Sequence, residues 1–267
     1  MRNVIFIFIV ALFFACNNTE TNTTSSKANT AIPADEKKLR DEIAMHPDSL
    51  ALTENLILYF RENGNYTQAI AETNTVLLKD SLNNNFWDLK ARLLSENGDT
   101  LLAIPAWEKV VFLKPLPENV ITLGTIYALT KNEAAITMAD GLLQSSKANA
   151  QTQAYLIKGI YYSTLGNTLK AIEMLNMSLK IDYTNLLAYR EKAICLYNAQ
   201  QYVEALKALE LSVALNKNNE EAYYWMGRCY EKLSKKDIAI QNYQLALAID
   251  KNYIEAKDAL GKLGITN

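Results

Sequence analysis

The chain has 267 residues, a mass of 30.0 kDa and a formal charge of −2, enough for two ordinary domains or one elongated one. Nine Gly and five Pro are few for that length and speak against an all-β fold with many tight turns. A pI near 5.6 speaks against a polyanion-binding surface. One His and three Cys leave too few soft ligands for a zinc or iron–sulfur site, so no metal and no cofactor is expected. Neither Gly-rich phosphate-loop pattern occurs.

Met1-Arg2-Asn3 is followed by twelve unbroken apolar residues, Val4 to Ala15. As helix these would span about 18 Å, short of the roughly 30 Å hydrocarbon core, so residues 1–15 read as a secretory signal peptide and not as a membrane span. Leu12-Phe13-Phe14-Ala15-Cys16 resembles a bacterial lipobox, although Phe13 and Phe14 stand where that motif prefers an aliphatic and a small residue. The resemblance implies lipidation of Cys16, with diacylglycerol and a further acyl chain such as palmitate. Multiple chains hold a protein stably on a membrane. Residues 16–33, rich in Asn, Thr and Ser, carry no apolar period and read as the lipidated Cys and a flexible linker. The alternatives are an ordinary signal peptide with an incidental Cys, giving a non-lipidated secreted protein, or no signal at all and a cytosolic location.

From residue 34 onward the sequence repeats. Ala69, Ala103, Ala135, Ala171, Ala205 and Ala239 follow one another at gaps of 34, 32, 36, 34 and 34. Twelve residues before most of them stand Ile57, Ala91, Gly159, Ala193 and Gly227, with Gly124 eleven before Ala135. Phe60, Leu94, Tyr127, Tyr162, Leu196 and Tyr230 follow three residues after these, and with Trp87, Val120, Tyr155, Tyr189 and Tyr223 they mark one face of a helix. A second stripe follows each Ala, as in Ala171, Leu175, Ser178 and Leu179, with Gly64, Gly98 and Gly166 between the stripes.

A helix–turn–helix unit of 34 residues with small residues at its eighth and twentieth places resembles the tetratricopeptide repeat. The resemblance implies an all-α solenoid, a right-handed superhelix of antiparallel helix pairs. Six units are expected, at 50–83, 84–117, 118–151, 152–185, 186–219 and 220–253, with a capping half-repeat at 34–49 closed by Pro47 and a capping helix at 254–267. Lys90, Lys158 and Lys192 take the usual Leu place, where a long stem can cover the core while the ammonium reaches water. Pro105 should bend its helix.

In this family the first helices line a concave surface that commonly binds an extended or helical peptide. The corresponding places in the first two units are charged and mixed in sign: Glu54, Arg61, Glu62, Asp88, Arg92 and Glu96. Further along they become Ile121, Thr125, Leu129, Leu156, Ile160, Leu187, Arg190, Ile194, Tyr197, Tyr224 and Arg228. That is an expected apolar strip rimmed by charge, suited to an apolar or amphipathic segment of another protein. Tighter packing that buries these side chains is the competing expectation. The basic clamp by which some members of the family hold a chaperone's carboxyl terminus is absent from the matching places.

Cys195 and Cys229 lie one period apart, where helix spacing of roughly 8–10 Å exceeds the reach of a disulfide. They read as small buried hydrophobes. Tyr161, Tyr197 and Tyr224 are the only tyrosines that are candidates for exposure, core or groove packing being the expected reading, and His46 is a surface or capping residue. No nucleophile, base and orienting group converge. The chain is therefore expected to be no enzyme but a lipid-anchored interaction scaffold of a bacterial cell envelope, on the outer membrane in preference to the inner. The solenoid would then face the periplasm or the cell surface, with no nucleic acid or small-molecule partner. A carbohydrate- or peptidoglycan-binding module acting through its tyrosines is the alternative.

Overall fold

The computed structural model describes residues 32–265. The expected signal peptide, Cys16 and nearly all of the linker lie outside them.

Fourteen helices and no strand are present among the described residues. The capping helix α1 covers Ala34–Met45, and pairs follow it: α2 Leu50–Glu62 with α3 Tyr66–Lys79, then α4 Asn84–Glu96 with α5 Thr100–Leu113. Next come α6 Pro117–Leu129 with α7 Ala134–Leu143, and α8 Ala148–Thr164 with α9 Thr168–Ile181. The last pairs are α10 Leu186–Asn198 with α11 Tyr202–Leu215, and α12 Glu220–Lys232 with α13 Lys236–Ile249, before the end helix α14 Ile254–Lys262. Each helix packs on its predecessor and successor. Nothing distant in sequence is needed to build such a stack.

The starts and turns of these helices are written locally and repeat with the units. Ser49, Asn83, Asn185 and Asn219 occupy one repeat place, and each side-chain oxygen accepts the backbone N–H three residues on, capping α2, α4, α10 and α12. At the same repeat place the sequence has Pro117, the first residue of α6, which serves as a first-turn proline. Between units, Asp80, Asp182, Asn216 and Asp250 each accept the N–H two residues on, the turn chemistry expected of these residues. The turn inside each unit passes through the left-handed region at Gly64, Gly98, Lys131, Gly166, Gln200 and Ser234.

Packing follows the small-residue register. Ala69, Ala103, Ala135, Ala171, Ala205 and Ala239 are all fully buried, as are Ile57 and Ala91. At Gly159 an added Cβ would stand 2.6 Å from Leu175 Cγ, so the absence of a side chain is what lets α8 and α9 close. Lys158 and Lys192 lay their stems along the core and end on Asp140 (2.6 Å) and Asn176 (2.8 Å), while the Lys90 ammonium lies 5.1 Å from the Trp87 ring centroid. Burial pushes the Lys90 and Lys192 ammonium groups below the ordinary lysine range. Helix α5 runs without a break through Pro105, which is exposed in its second turn.

The register is irregular at the third unit. Helix α7 has 10 residues, and α8 has 17 and starts four residues before the expected unit boundary at 152. Helices α6 and α8 meet directly along the inner wall, and α8 with α10 and α10 with α12 follow suit. Thr164 Oγ1 donates across this contact to the Ala128 carbonyl at 2.9 Å.

Candidate interaction groove

The residues expected to line the groove stand on four first helices: Ile121, Thr125 and Leu129 on α6, Leu156 and Ile160 on α8, Leu187, Arg190, Ile194 and Tyr197 on α10, and Tyr224 and Arg228 on α12. The stack brings them to three depressions. One of about 300 Å³ is lined by Ile121, Thr125, Leu156, Ile160, Leu187 and Arg190. Its neighbour, about 420 Å³, shares Ile160 and Arg190 with it and adds Leu129 and Ile194. The third, about 310 Å³, contains Tyr197, Tyr224 and Arg228 at the carboxyl-terminal end.

The apolar strip is narrower than the sequence suggests. Leu156 and Ile160 are buried, and so is Tyr197. Leu129 at 54% and Leu187 at 47% exposure are the open apolar side chains of the set. The cause is the close approach of α6 and α8: Gly124 carries no Cβ, and one built there would lie 3.1 Å from Ile157 Cδ1. With the wall drawn in, Leu156 and Ile160 join the core that contains Leu123, Ile157 and Ala188.

Arg190 occupies the middle of this surface and is held from two sides. It donates to Glu191 at 2.7 and 3.0 Å and to Glu221 of α12 at 3.1 Å. Two carboxylates on one guanidinium leave the centre of the groove net negative. Glu221 stands at a groove place of its own unit, the second of 220–253, and reaches back to Arg190. Glu191 was not legible as part of the site, since it lies one residue past Arg190 and off the usual groove places. In the first two units the charges satisfy one another: Arg61 makes two 2.6 Å bonds to Glu96, and Arg92 one of 2.7 Å to Asp88.

The carboxyl-terminal depression is aromatic and basic. Arg228 donates to the hydroxyls of Tyr224 (2.8 Å) and Tyr197 (3.2 Å), and the Tyr197, Tyr224 and Trp225 ring centroids lie 5.3 to 5.7 Å from its guanidinium carbon. Both tyrosines thus accept hydrogen bonds inside the chain, and Tyr197, being buried, offers no ring face to a glycan. Tyr161 is half-buried. The remaining walls are Glu231, Lys232, Glu255, Ala259 and Lys262, with α14 closing one side.

Other residues singled out above play no part in the depressions. Cys195 and Cys229 are buried and unbridged. Burial pushes the Cys229 thiol up to about 12, and it raises that of Cys195 as well. His46 is exposed and ends α1, its N–H bonded to the Glu42 and Ile43 carbonyls. Among the described residues, no three His, Cys, Asp or Glu gather where a metal could sit, and no helix is long and apolar enough to cross a membrane.

The family model of the tetratricopeptide repeat matches residues 152–185 and 220–253, the fourth and sixth units. A tetratricopeptide repeat protein from Parabacteroides merdae superposes with a TM-score of 0.68 at 19% identity, covering 85% of this chain and 90% of its own. The fold is a tetratricopeptide-repeat solenoid. PilW, a widely conserved type IV pilus biogenesis factor, aligns with a TM-score of 0.57 at 19% identity over 79% of this chain and 97% of its own. A chain of the APC/C hetero-tetramer Cut9–Hcn1 gives 0.52 at 20% identity, over 85% of this solenoid and 46% of its own length. No curated protein matches the sequence. Tetratricopeptide repeat proteins are typically non-enzymatic scaffolds for protein–protein interaction.

Proposed function

We propose that this chain is a lipid-anchored scaffold of a bacterial cell envelope, on the outer membrane, and that its concave wall holds a peptide or helical segment of another protein. The observation that carries the reading is the pair of adjoining depressions that share Ile160 and Arg190. They open between two exposed leucines, Leu129 and Leu187, in a wall of packed helices. A preorganised apolar surface of this kind loses little conformational entropy when an amphipathic segment docks. The anchor rests on Cys16 and the lipobox resemblance around it.

The groove is tested by selecting peptides from a displayed random library on the full chain and measuring their affinity for Leu129→Asp and Leu187→Asp variants. Both side chains are open, so these changes leave folding intact. Peptides that lose at least about tenfold in affinity for both variants support the reading, an apolar contact of this size being worth about 1.5–3 kcal/mol. Peptides that bind both variants as well as the parent chain overturn it. The anchor is tested by radioactive palmitate incorporation, which a Cys16→Ser change should abolish. Persistent labelling in that variant removes the anchor.

A further inference from the structure

We propose that the depression formed by Arg228, Lys232 and Lys262 between α12 and α14 is a seat for a carboxylate of the bound peptide. The idea rests on the reading of the concave wall as a peptide groove and names what one end of that groove recognises.

Arginine pairing across the molecule points to it. Arg40, Arg61, Arg92 and Arg190 each hold at least one carboxylate within 3.1 Å. Arg228 breaks the pattern: among the described residues it has no carboxylate partner and is met by two phenol oxygens. Those bonds occupy two of its five N–H donors. The other three make no hydrogen bond among the described residues, and a forked acceptor such as a carboxylate is the partner that guanidinium geometry matches.

The guanidinium is also held still. Tyr197 is buried and lies edge-on to both Tyr202 and Trp225. Tyr224 lies edge-on to Trp225 and Tyr253. Each hydroxyl that positions Arg228 therefore belongs to a ring fixed by neighbours, so little order remains to be imposed on binding.

Charge in the cavity completes the case. Lys232 and Lys262 line it and are ion-paired to nothing among the described residues. Against three cations stand two carboxylates, Glu231 and Glu255. Glu231 already accepts the hydroxyl of Tyr243. An incoming carboxylate would bring this cavity to neutrality, whereas the Arg190 site, where two carboxylates face one guanidinium, would repel it. The seat differs from the basic clamp known in the family, since its cations come from one unit and the end helix and not from consecutive units.

The experiment follows the Arg228 side-chain N–H signals of the full chain by nuclear magnetic resonance, assigned through Arg228→Lys. Four probes are titrated: N-acetyl-Leu-Glu, N-acetyl-Leu-Gln, and the amidated form of each. The first carries a side-chain and a terminal carboxylate, the second only the terminal one, amidated Leu-Glu only the side-chain one, and amidated Leu-Gln neither. A saturable shift with a charged probe, absent with amidated Leu-Gln and weakened at least about tenfold by Arg228→Gln, supports the seat. Comparison of the two singly charged probes identifies which carboxylate it takes. An unmoved Arg228, or equal shifts with the neutral probe, overturns the proposal. Inorganic phosphate that binds more tightly than every dipeptide also overturns it. These short probes do not need the Leu129–Leu187 wall. A groove that fails its peptide test and a seat that fails this one are thus separate results.

Discussion

Tyr243 lies flat against the place where Gly227 has no side chain: a Cβ on Gly227 would stand 2.5 Å from Tyr243 Cε1 and 2.7 Å from Cδ1. The largest fully buried side chain among the described residues is thus accommodated by the smallest residue, across the α12–α13 pair. Tyr243 is further held by its bond to Glu231, and burial together with that carboxylate keeps its phenol protonated well above the usual tyrosine range.

Gly227→Ala should accordingly destabilise the chain by about 2–3 kcal/mol, since the added methyl would overlap three atoms of a fully buried ring. Gly261→Ala is the control. Its added methyl meets nothing within 4 Å on α14, and the change should be stabilising by about 0.5–1 kcal/mol through helix propensity. Urea denaturation monitored by helical circular dichroism measures both. A neutral Gly227→Ala would mean that α12 and α13 are less closely packed than described.

Turn chemistry supplies a second prediction. Three of the six turns inside units place Lys131, Gln200 and Ser234 at φ near +60°, where their neighbours use Gly64, Gly98 and Gly166. A side chain in that region is strained by roughly 1–2 kcal/mol. Gln200→Gly and Ser234→Gly should each raise stability by about 0.5–1 kcal/mol after the extra freedom of glycine in the unfolded chain is deducted. Thermal melting of the single and double variants tests this, with additive gains expected for turns one unit apart.

Alkaline pH should weaken the fold. The Cys229 thiol is held up to about 12 against an ordinary 9.0, and burial raises the phenols of Tyr127, Tyr243 and Tyr253 above their ordinary 10.0. The unfolded chain therefore loses these protons first as pH rises, and the native state loses its advantage from about pH 9 upward. Melting temperature should be flat between roughly pH 7 and pH 8.5 and fall beyond that, less steeply in Tyr243→Phe. A flat profile to about pH 11 would contradict the burial of these groups.

The same burial makes the two interior thiols inert. At pH 8 a thiol of pKa about 12 is ionised in roughly one molecule in ten thousand, and the thiolate is the reactive form. In Cys16→Ser protein, iodoacetamide should leave Cys195 and Cys229 unmodified until urea unfolds the chain. Rapid native alkylation of Cys229 would contradict its place in the core.

The framework was legible because solenoid packing is local. Each 34-residue unit must leave room at the same two places and supply bulk at the same others, so Ala69 to Ala239 announce helix pairs and their spacing without knowledge of any distant contact. The helix caps at Ser49, Asn83, Asn185 and Asn219 repeat for the same reason. The groove was legible only as a list of places.

Tertiary structure decided what those places became. The burial of Leu156 and Ile160 depended on how far α6 and α8 close on one another, a distance set jointly by Gly124, Ile157 and the Thr164–Ala128 bond, and that of Tyr197 on its packing against Tyr202 and Trp225. Arg190 and Arg228 read alike in sequence, as cations in an apolar row. Folding sends one to Glu191 and Glu221 and the other to two phenols, because a partner one period away stands on the adjacent helix at an angle that no one-dimensional spacing records. Periodicity determined the scaffold; curvature and side-chain reach determined which of its charges remain to be met.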